Sequence, residues 1–187
     1  MGAGRMRNAH GGLNVIEPQN KTIGLNRSSV RHVPYSDDWP ALFRTEHDML
    51  RDTFAAHRLE IEHIGSTAVP GLMARPVIDI AVSVPEGEQE DAAQAVVSLG
   101  YVDCGYGSGR LFVRTRDSDV RTHTLLLYRP DDPAMYEQVA FRDVLRRDRR
   151  LADAYAALKH GLARRSNSYA AEKTQFIRRV LLEANLH

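Results

Sequence analysis

The 187-residue chain is 43% hydrophobic and 26% charged, the balance of an ordinary globular domain with a usable core. Lysine and arginine number 25 against 24 aspartate and glutamate, so the net charge of +1 gives no global argument for a nucleic-acid or membrane partner. The single cysteine, Cys104, excludes an intrachain disulfide framework and a cysteine-ligated zinc ribbon, and it suits a reducing cytoplasm.

The first segment, residues 1–29, is rich in glycine, asparagine and arginine and shows no sustained hydrophobic period. It is predicted to be a flexible extension, without the apolar stretch of a secretory signal. No apolar run in the chain approaches the roughly 20 residues needed to span a bilayer. The organised domain is predicted to occupy residues 30–187 of a cytoplasmic protein that has no membrane partner.

The first predicted element is a helix that begins at the acidic pair Asp37-Asp38, with Pro40 in its first turn. Apolar residues then recur at helical spacing as far as Phe54. Residues 58–64 alternate in character and are predicted to form a strand. Its two faces carry Leu59, Ile61 and His63 on one side, and Glu60, Glu62 and Ile64 on the other.

The second strand, residues 77–84, carries a carboxylate inside an apolar run. Its aliphatic face consists of Ile78, Ile80, Val82 and Val84. Asp79 lies on the other face, between Val77 and Ala81. A lone buried carboxylate costs several kcal/mol unless it is paired or binds a metal. Asp79 is therefore expected to face an open cleft, the alternative being an ion pair with Arg75 or Arg121.

The remaining elements follow from turn residues and periodicity. A helix is predicted over residues 86–99, ended by Gly100. Two or three strands follow, at residues 101–104, 110–115 and 121–128, and are predicted to form an antiparallel meander. Alternation along the last of them places Arg121, His123, Leu125 and Leu127 on one side. Three helices follow, over residues 132–147, 150–164 and 169–184. This order predicts an α+β domain, with a mixed β-sheet packed by helices and a C-terminal helical portion.

Several stretches of the chain form a recognisable set of motifs. The longest is EHIGSTAVPGLMARPVIDIAV, residues 62–82. Others are VPYSDDWPALF at 33–43, RTH at 121–123, AFRDVLR at 140–146 and YAALK at 155–159. Together they resemble the GrpB-like (UPF0157-type) family of the nucleotidyltransferase superfamily. The resemblance covers residues 30–182 and implies a nucleotidyltransferase-like fold. Domains of this family occur alone and, in some bacteria, fused to dephospho-coenzyme A kinase.

The superfamily transfers nucleotidyl groups from a nucleoside triphosphate, with a Gly-Ser turn for the phosphates and two or three carboxylates for Mg²⁺. The resemblance thus implies phosphate or ligand binding by Gly65, Ser66, Thr67, Arg75, Arg121, Tyr169 and Lys173. It implies Mg²⁺ at Asp79, to which Glu62 could add a second carboxylate, and a catalytic role for Asp79 and His123. For Gly65-Ser66 the alternative is an ordinary turn, and for His123 a structural histidine.

The sequence departs at two points, one from the pattern of an active transferase and one from the pattern of the family. Two metal ions need carboxylates two positions apart on one strand face, but Val77 and Ala81 flank Asp79. The family itself generally has this single aspartate. Leu126 stands where the family usually has a second histidine.

Three functional hypotheses follow. The first is an enzyme that binds a nucleotide or other phosphorylated ligand between the sheet and the C-terminal helices and transfers a nucleotidyl group with Mg²⁺. The second is a non-catalytic module that binds a nucleotide or a coenzyme A-like ligand. The third is an adaptor that binds nucleic acid through the arginine-rich helices of residues 142–165, which the near-zero net charge disfavours.

Overall fold

The computed structural model describes residues 22–26, 29, 31–54, 59–162 and 169–184 of the chain. Within these ranges the predicted helices and strands are present, and the predicted α+β class is confirmed. The elements are β1 (Leu25–Asn26), α1 (Trp39–Thr53), β2 (Glu60–Ile64), β3 (Ile78–Ser83), α2 (Gln89–Ser98), β4 (Val102–Tyr106), β5 (Arg110–Arg116), β6 (Val120–Tyr128), α3 (Pro133–Arg147), α4 (Arg149–Leu162) and α5 (Tyr169–Ala184). No helix in the described ranges is long and apolar enough to cross a bilayer.

The strands form one mixed sheet in the order β2-β3-β6-β5-β4, and β1 pairs with β6 outside this path. β3 and β6 are parallel, whereas the other pairings are antiparallel. The predicted meander of β4, β5 and β6 is confirmed. Because parallel neighbours need a crossover connection, α2 and the first two meander strands lie between β3 and β6 in the chain.

The folded domain begins earlier than the sequence predicted. Residues 22–26 were assigned to a flexible extension, but Leu25 lies opposite Arg121 in the sheet. Ile23 is buried, and the indole N–H of Trp39 donates to the carbonyl of Thr22 at 3.4 Å. These five residues gain hydrogen bonds and burial from distant parts of the chain, which no local pattern reveals. Residues 1–21 lie outside the described part.

The sheet separates two apolar regions. Ile78, Ile80 and Leu125 point from one face into the main core, where α1 contributes Trp39 and Leu50. The aliphatic face predicted for the second strand is this face, so that prediction is confirmed. On the other face a small cluster, Ile64, Ala81, Tyr128 and Met135, lies between the sheet and α3.

The three C-terminal helices enclose a core of their own. Phe141 of α3 meets Tyr155 of α4 edge-to-face at 5.1 Å, and Tyr155 stacks on Phe176 of α5 at 5.6 Å. α3 begins where the Asp132 carboxylate accepts the backbone N–H of Ala134 at 2.9 Å, which satisfies one exposed helix donor. This cap fixes where α3 begins and therefore which of its residues lie over the sheet.

Candidate functional site

Asp79 lies on the sheet face that looks toward the C-terminal helices. The register places it opposite Ile64 of β2 and Thr124 of β6. The Thr124 side chain forms a hydrogen bond with the carboxylate. Protein atoms surround Asp79 densely, yet its side chain keeps some solvent-accessible surface. The carboxylate is thus mostly enclosed by protein atoms, and its access to an open cleft stays a prediction.

The turn after β2 lies directly against this carboxylate. Gly65 has φ +72°, and a Cβ atom there would come within 2.4 Å of the Asp79 Oδ2 atom. Only glycine combines this backbone conformation with this close approach. One turn of 3₁₀ helix, Ser66–Ala68, follows. The predicted neighbourhood of the Gly65-Ser66 turn and Asp79 is therefore present.

Lys159 of α4 holds the turn in place. Its ammonium group donates to the Ser66 hydroxyl at 2.9 Å and to the Met73 carbonyl at 2.7 Å. Only 5% of Lys159 is exposed. Lys159 belongs to the YAALK segment but was not among the predicted site residues, because a contact across 93 residues leaves no local signal in the sequence.

Cationic side chains outnumber the carboxylate in this region. Burial raises the pKa of Asp79, while the charges of Arg75, Lys173 and Arg121 act in the opposite direction. Burial, together with the charges of Lys173 and Arg75, lowers the pKa of Lys159 to about 8. Burial, and then the charge of Arg75, also lowers the pKa of Lys173, which Asp79 partly offsets. One anion among four basic groups leaves an excess of positive charge, which favours binding of a further anion.

A bulge in β6 decides which face of the sheet carries Arg121. Arg114 of β5 faces His123, but the next residue, Thr115, faces Arg121, so Thr122 is an extra residue in β6. The bulge turns Arg121 and His123 toward opposite faces of the sheet. Regular alternation had predicted one shared face for them, and that prediction is wrong. Arg121 is on the Asp79 side, where its charge acts on the carboxylate.

His123 lies in the main core and not in the cleft. It is paired with Ile78 across the sheet and is only 3% exposed. Its Nδ1 atom is 3.0 Å from a guanidinium nitrogen of Arg114, which in turn binds Glu46. Burial, then the charge of Arg114, lowers the pKa of His123 well below its ordinary value. The expected place of His123 beside Asp79 is corrected, and the structural alternative fits its surroundings.

Two further predicted site residues form hydrogen bonds with other groups of the protein. The buried Thr67 hydroxyl donates to the Val77 carbonyl at 3.2 Å and lies 3.0 Å from His63 Nε2, so it does not face a ligand. Glu62 is on the Asp79 face of the sheet, but its carboxylate is bonded to Arg142. Tyr169 begins α5 one turn before Lys173, and its side chain lies outside the described part.

A cleft of about 590 Å³ opens between the sheet and helices α3 and α5. Its walls include Gly65, Ser66, Leu126, Phe141, Tyr155 and Lys173. The lining on α3 extends from Ala134 to Leu145, which spans about 16 Å of helix. The cleft thus joins a polar, basic end at Gly65-Ser66 to an apolar middle.

The sequence matches the family model described as GrpB protein over residues 29–183. The chain belongs to the GrpB family. A UPF0157 protein of Streptomyces coelicolor is 32% identical over 165 residues, which are 86% of this chain and 83% of that protein. The crystal structure of conserved protein GrpB from Enterococcus faecalis has a TM-score of 0.71 and 30% identity, covering 82% of this chain and 99% of that chain.

A more distant likeness concerns the fold alone. The Cid1 poly(U) polymerase, in a crystal structure with Mg 3′-dATP bound, has a TM-score of 0.54 and 15% identity. The match covers 72% of this chain and 45% of the polymerase. The predicted nucleotidyltransferase-like fold of this GrpB family member is therefore confirmed, whereas ligand and activity are not transferred at this identity.

The position at which the resemblance implied a second histidine lies in the wall of the cleft. Leu126 occupies it, opposite Ala81, and lines the cavity. The candidate site of this GrpB family member therefore has an apolar side chain at this position.

The residues present do not fit the two-metal arrangement of a transferase. Among the described residues, no three histidine, cysteine, aspartate or glutamate side chains converge on one point. Glu62 is paired with Arg142, and the charges of Arg75, Lys173 and Arg121 act on Asp79. This positive charge disfavours two further cations beside Asp79.

Proposed function

We propose that this protein binds the phosphate groups of a nucleotide or a related phosphorylated ligand at the basic end of the cleft. The observation that carries the proposal is a set of basic groups near Asp79 and the turn. The charges of Arg75, Arg121 and Lys173 act on the Asp79 carboxylate, and Lys159 donates to the Ser66 hydroxyl. Backbone N–H groups of a small-residue turn and ammonium donors are the groups that bind phosphate oxygens. The observed site favours binding without metal, as in the second hypothesis of the sequence analysis.

The shape of the cleft supports a ligand longer than phosphate alone. Leu126, Phe141, Tyr155 and Ile177 provide an apolar stretch beyond the basic end. At the start of α3, the side-chain amide of Gln138 binds the Tyr128 hydroxyl and lines the same cavity. A nucleotide or a coenzyme A precursor has this sequence of groups, with phosphate, an organic body and a polar end.

Nucleotidyl transfer is a second candidate function. It is favoured by the nucleotidyltransferase-like fold and by Asp79, whose carboxylate adjoins the Gly65-Ser66 turn. Asp79 and the Ser66 hydroxyl are oxygen donors of the kind that Mg²⁺ accepts beside substrate phosphates. This candidate ranks second because Asp79 would have to bind the ion among the charges of Arg75, Lys173 and Arg121.

Calorimetric titration with ATP and dephospho-coenzyme A, each in EDTA and in Mg²⁺, separates these candidates. We expect binding in EDTA that weakens at least about tenfold in Lys173→Met, since one charge-assisted contact is lost. The control is Arg150→Met, whose side chain is 95% exposed and outside the cleft, and its affinity should stay within about twofold.

The titrations have different expected outcomes for metal-free phosphate binding and for nucleotidyl transfer. No binding of either ligand, or equal affinity in wild type and Lys173→Met, would contradict the phosphate site. Binding that requires Mg²⁺ and is lost in Asp79→Asn, with release of pyrophosphate from ATP in the wild type, would establish the transfer candidate instead.

Anion binding should weaken as the pH rises through about 8. Lys159 is charged below its pKa of about 8 and neutral above it, so its attraction for phosphate is lost in that direction. The phosphate ligand itself holds a constant charge above pH 7. We expect the affinity for ATP to fall about tenfold between pH 7 and pH 9.

Isothermal titration at several pH values measures this dependence. Lys159→Met is the matched control, and its affinity should be lower at pH 7 but change less with pH. A weaker dependence of the affinity on pH should remain in Lys159→Met, because burial also lowers the pKa of Lys173. An affinity independent of pH in the wild type would mean that Lys159 does not contact the anion.

A further inference from the structure

A second pocket of about 490 Å³ lies beside the cleft and has a different lining. Gly65 and Ser66 border the cleft, whereas Ala68 and Pro70 border the second pocket, so one loop contributes to both. The other walls of the second pocket come from α1, from the end of β2 and from α3. Among the described residues, Arg142 is the one that the two linings share.

One side of this pocket is aromatic. The rings of Phe43 and His63 stack with centroids 4.6 Å apart and an angle of 11° between their planes, and His47 lies 5.9 Å from Phe43. Tyr35 also lines the pocket. Flat, rigid rings around an opening of this size suit a planar aromatic group of a ligand.

The imidazole of His63 is held neutral in one tautomer. Burial, then the charges of Arg146 and Arg142, lowers its pKa to about 3. The Thr67 hydroxyl uses its hydrogen on the Val77 carbonyl and therefore accepts the Nε2–H of His63. Nδ1 of His63 is thus a hydrogen-bond acceptor, so the ring offers no positive charge to a ligand.

The other side of the pocket is cationic. The Arg142 guanidinium donates hydrogen bonds to Glu62, Asp143 and the His63 carbonyl. Arg146 donates to the Ala68 carbonyl at 2.9 Å and keeps a side chain that is 38% exposed. Arg44, from α1, is exposed at the rim. The Asp143 carboxylate also pairs with Arg146 at 3.4 Å. Three arginines therefore face two carboxylates, Glu62 and Asp143, and the charge around the pocket is still net positive.

We propose that this pocket is a second ligand site, which takes a planar aromatic ring that carries a phosphate or carboxylate group. The ring lies against the Phe43 and His63 side, and the anion binds Arg44 and Arg146. Arginine suits this role because its planar guanidinium binds both oxygens of such an anion. The site does not depend on the function proposed for the cleft, and it accepts a second ligand because the two linings, within the described part of the chain, share only Arg142.

Titration with AMP tests the proposal. Adenosine, which has the ring without the anion, and inorganic phosphate, which has the anion without the ring, serve as half-ligands. NMR resonances of the Phe43, His47 and His63 rings report on this pocket directly. We expect AMP to shift them in a saturable way and to bind at least about tenfold more tightly than either half-ligand. Arg44→Glu and Arg146→Glu should each weaken AMP binding at least about tenfold.

Two matched variants identify the site. Arg51→Glu reverses an exposed charge two turns further along α1, and Lys173→Met disables the cleft, so both should bind AMP here within about twofold of wild type. Unchanged affinity in Arg44→Glu would overturn the proposal, as would a lack of saturable shifts. Shifts that disappear in Lys173→Met would place AMP in the cleft and would equally overturn it.

Discussion

Replacing Gly65 with alanine is expected to destabilise the fold by about 2–5 kcal/mol and to abolish ligand binding in the cleft. The backbone at Gly65 has φ +72°, which costs a residue with a Cβ atom about 1–2 kcal/mol. The added methyl group would also lie 2.4 Å from the Asp79 Oδ2 atom, which forces the turn and the carboxylate apart. Thermal unfolding and titration with ATP measure the two effects.

Gly87→Ala is the matched control for this substitution. Gly87 has φ +89°, but a Cβ atom there would meet nothing within 4 Å. It should therefore show the backbone cost alone, about 1–2 kcal/mol, with unchanged ligand affinity. If Gly65→Ala and Gly87→Ala lost equal stability and both bound ligand normally, the close packing of Gly65 on Asp79 would contribute neither to stability nor to ligand binding.

Glu46→Gln is expected to cost about 3–5 kcal/mol of unfolding free energy. Glu46 is only 2% exposed, and its carboxylate accepts hydrogen bonds from Arg114 at 3.0 Å and from the Tyr101 hydroxyl at 2.8 Å. The amide has the same shape but no charge, so the positive charge of buried Arg114 loses its counter-ion. Chemical denaturation measures the difference.

The same substitution on the surface provides the control. Glu90 forms an ion pair with Arg110 at 2.7 Å, but its side chain is 67% exposed. Glu90→Gln should therefore cost no more than about 1 kcal/mol. Because Glu46 and His123 lie on the sheet face opposite Asp79, Glu46→Gln should leave ATP affinity unchanged at temperatures where it is folded. If folded Glu46→Gln lost affinity for ATP, the hydrogen bonds among Glu46, Arg114 and His123 would be shown to affect the cleft.

Local patterns predicted the elements of this structure well because their causes are local. The capping carboxylate of Asp132 and the following Pro133 mark the start of α3 within two residues of sequence. The alternation in β3 assigned Ile78 to the core and Asp79 to the opposite face, since side chains of a regular strand alternate between faces. The family resemblance then supplied the fold, which the comparisons confirm.

The candidate site was predicted only where it depends on regular geometry. Gly65, Ser66 and Asp79 come together as expected because β2 and β3 are neighbouring antiparallel strands. His123 was placed wrongly because one extra residue in β6 reverses the alternation between it and Arg121. The roles of Mg²⁺ and of the ligand-binding residues, and the cytoplasmic location, stay predictions.

The sequence by itself determined the helices, the strands, the buried face of β3 and the turn that adjoins its carboxylate. The tertiary structure decided which charges meet there. Lys159 reaches Ser66 across 93 residues, and Arg114 reaches Glu46 across 68. Such contacts depend on how whole elements pack, and the side chains that make them resemble ordinary surface charges in the sequence. Periodicity therefore identified the strand face that carries Asp79, while the packing of α4 and α5 brought the lysines there from which the ligand is inferred.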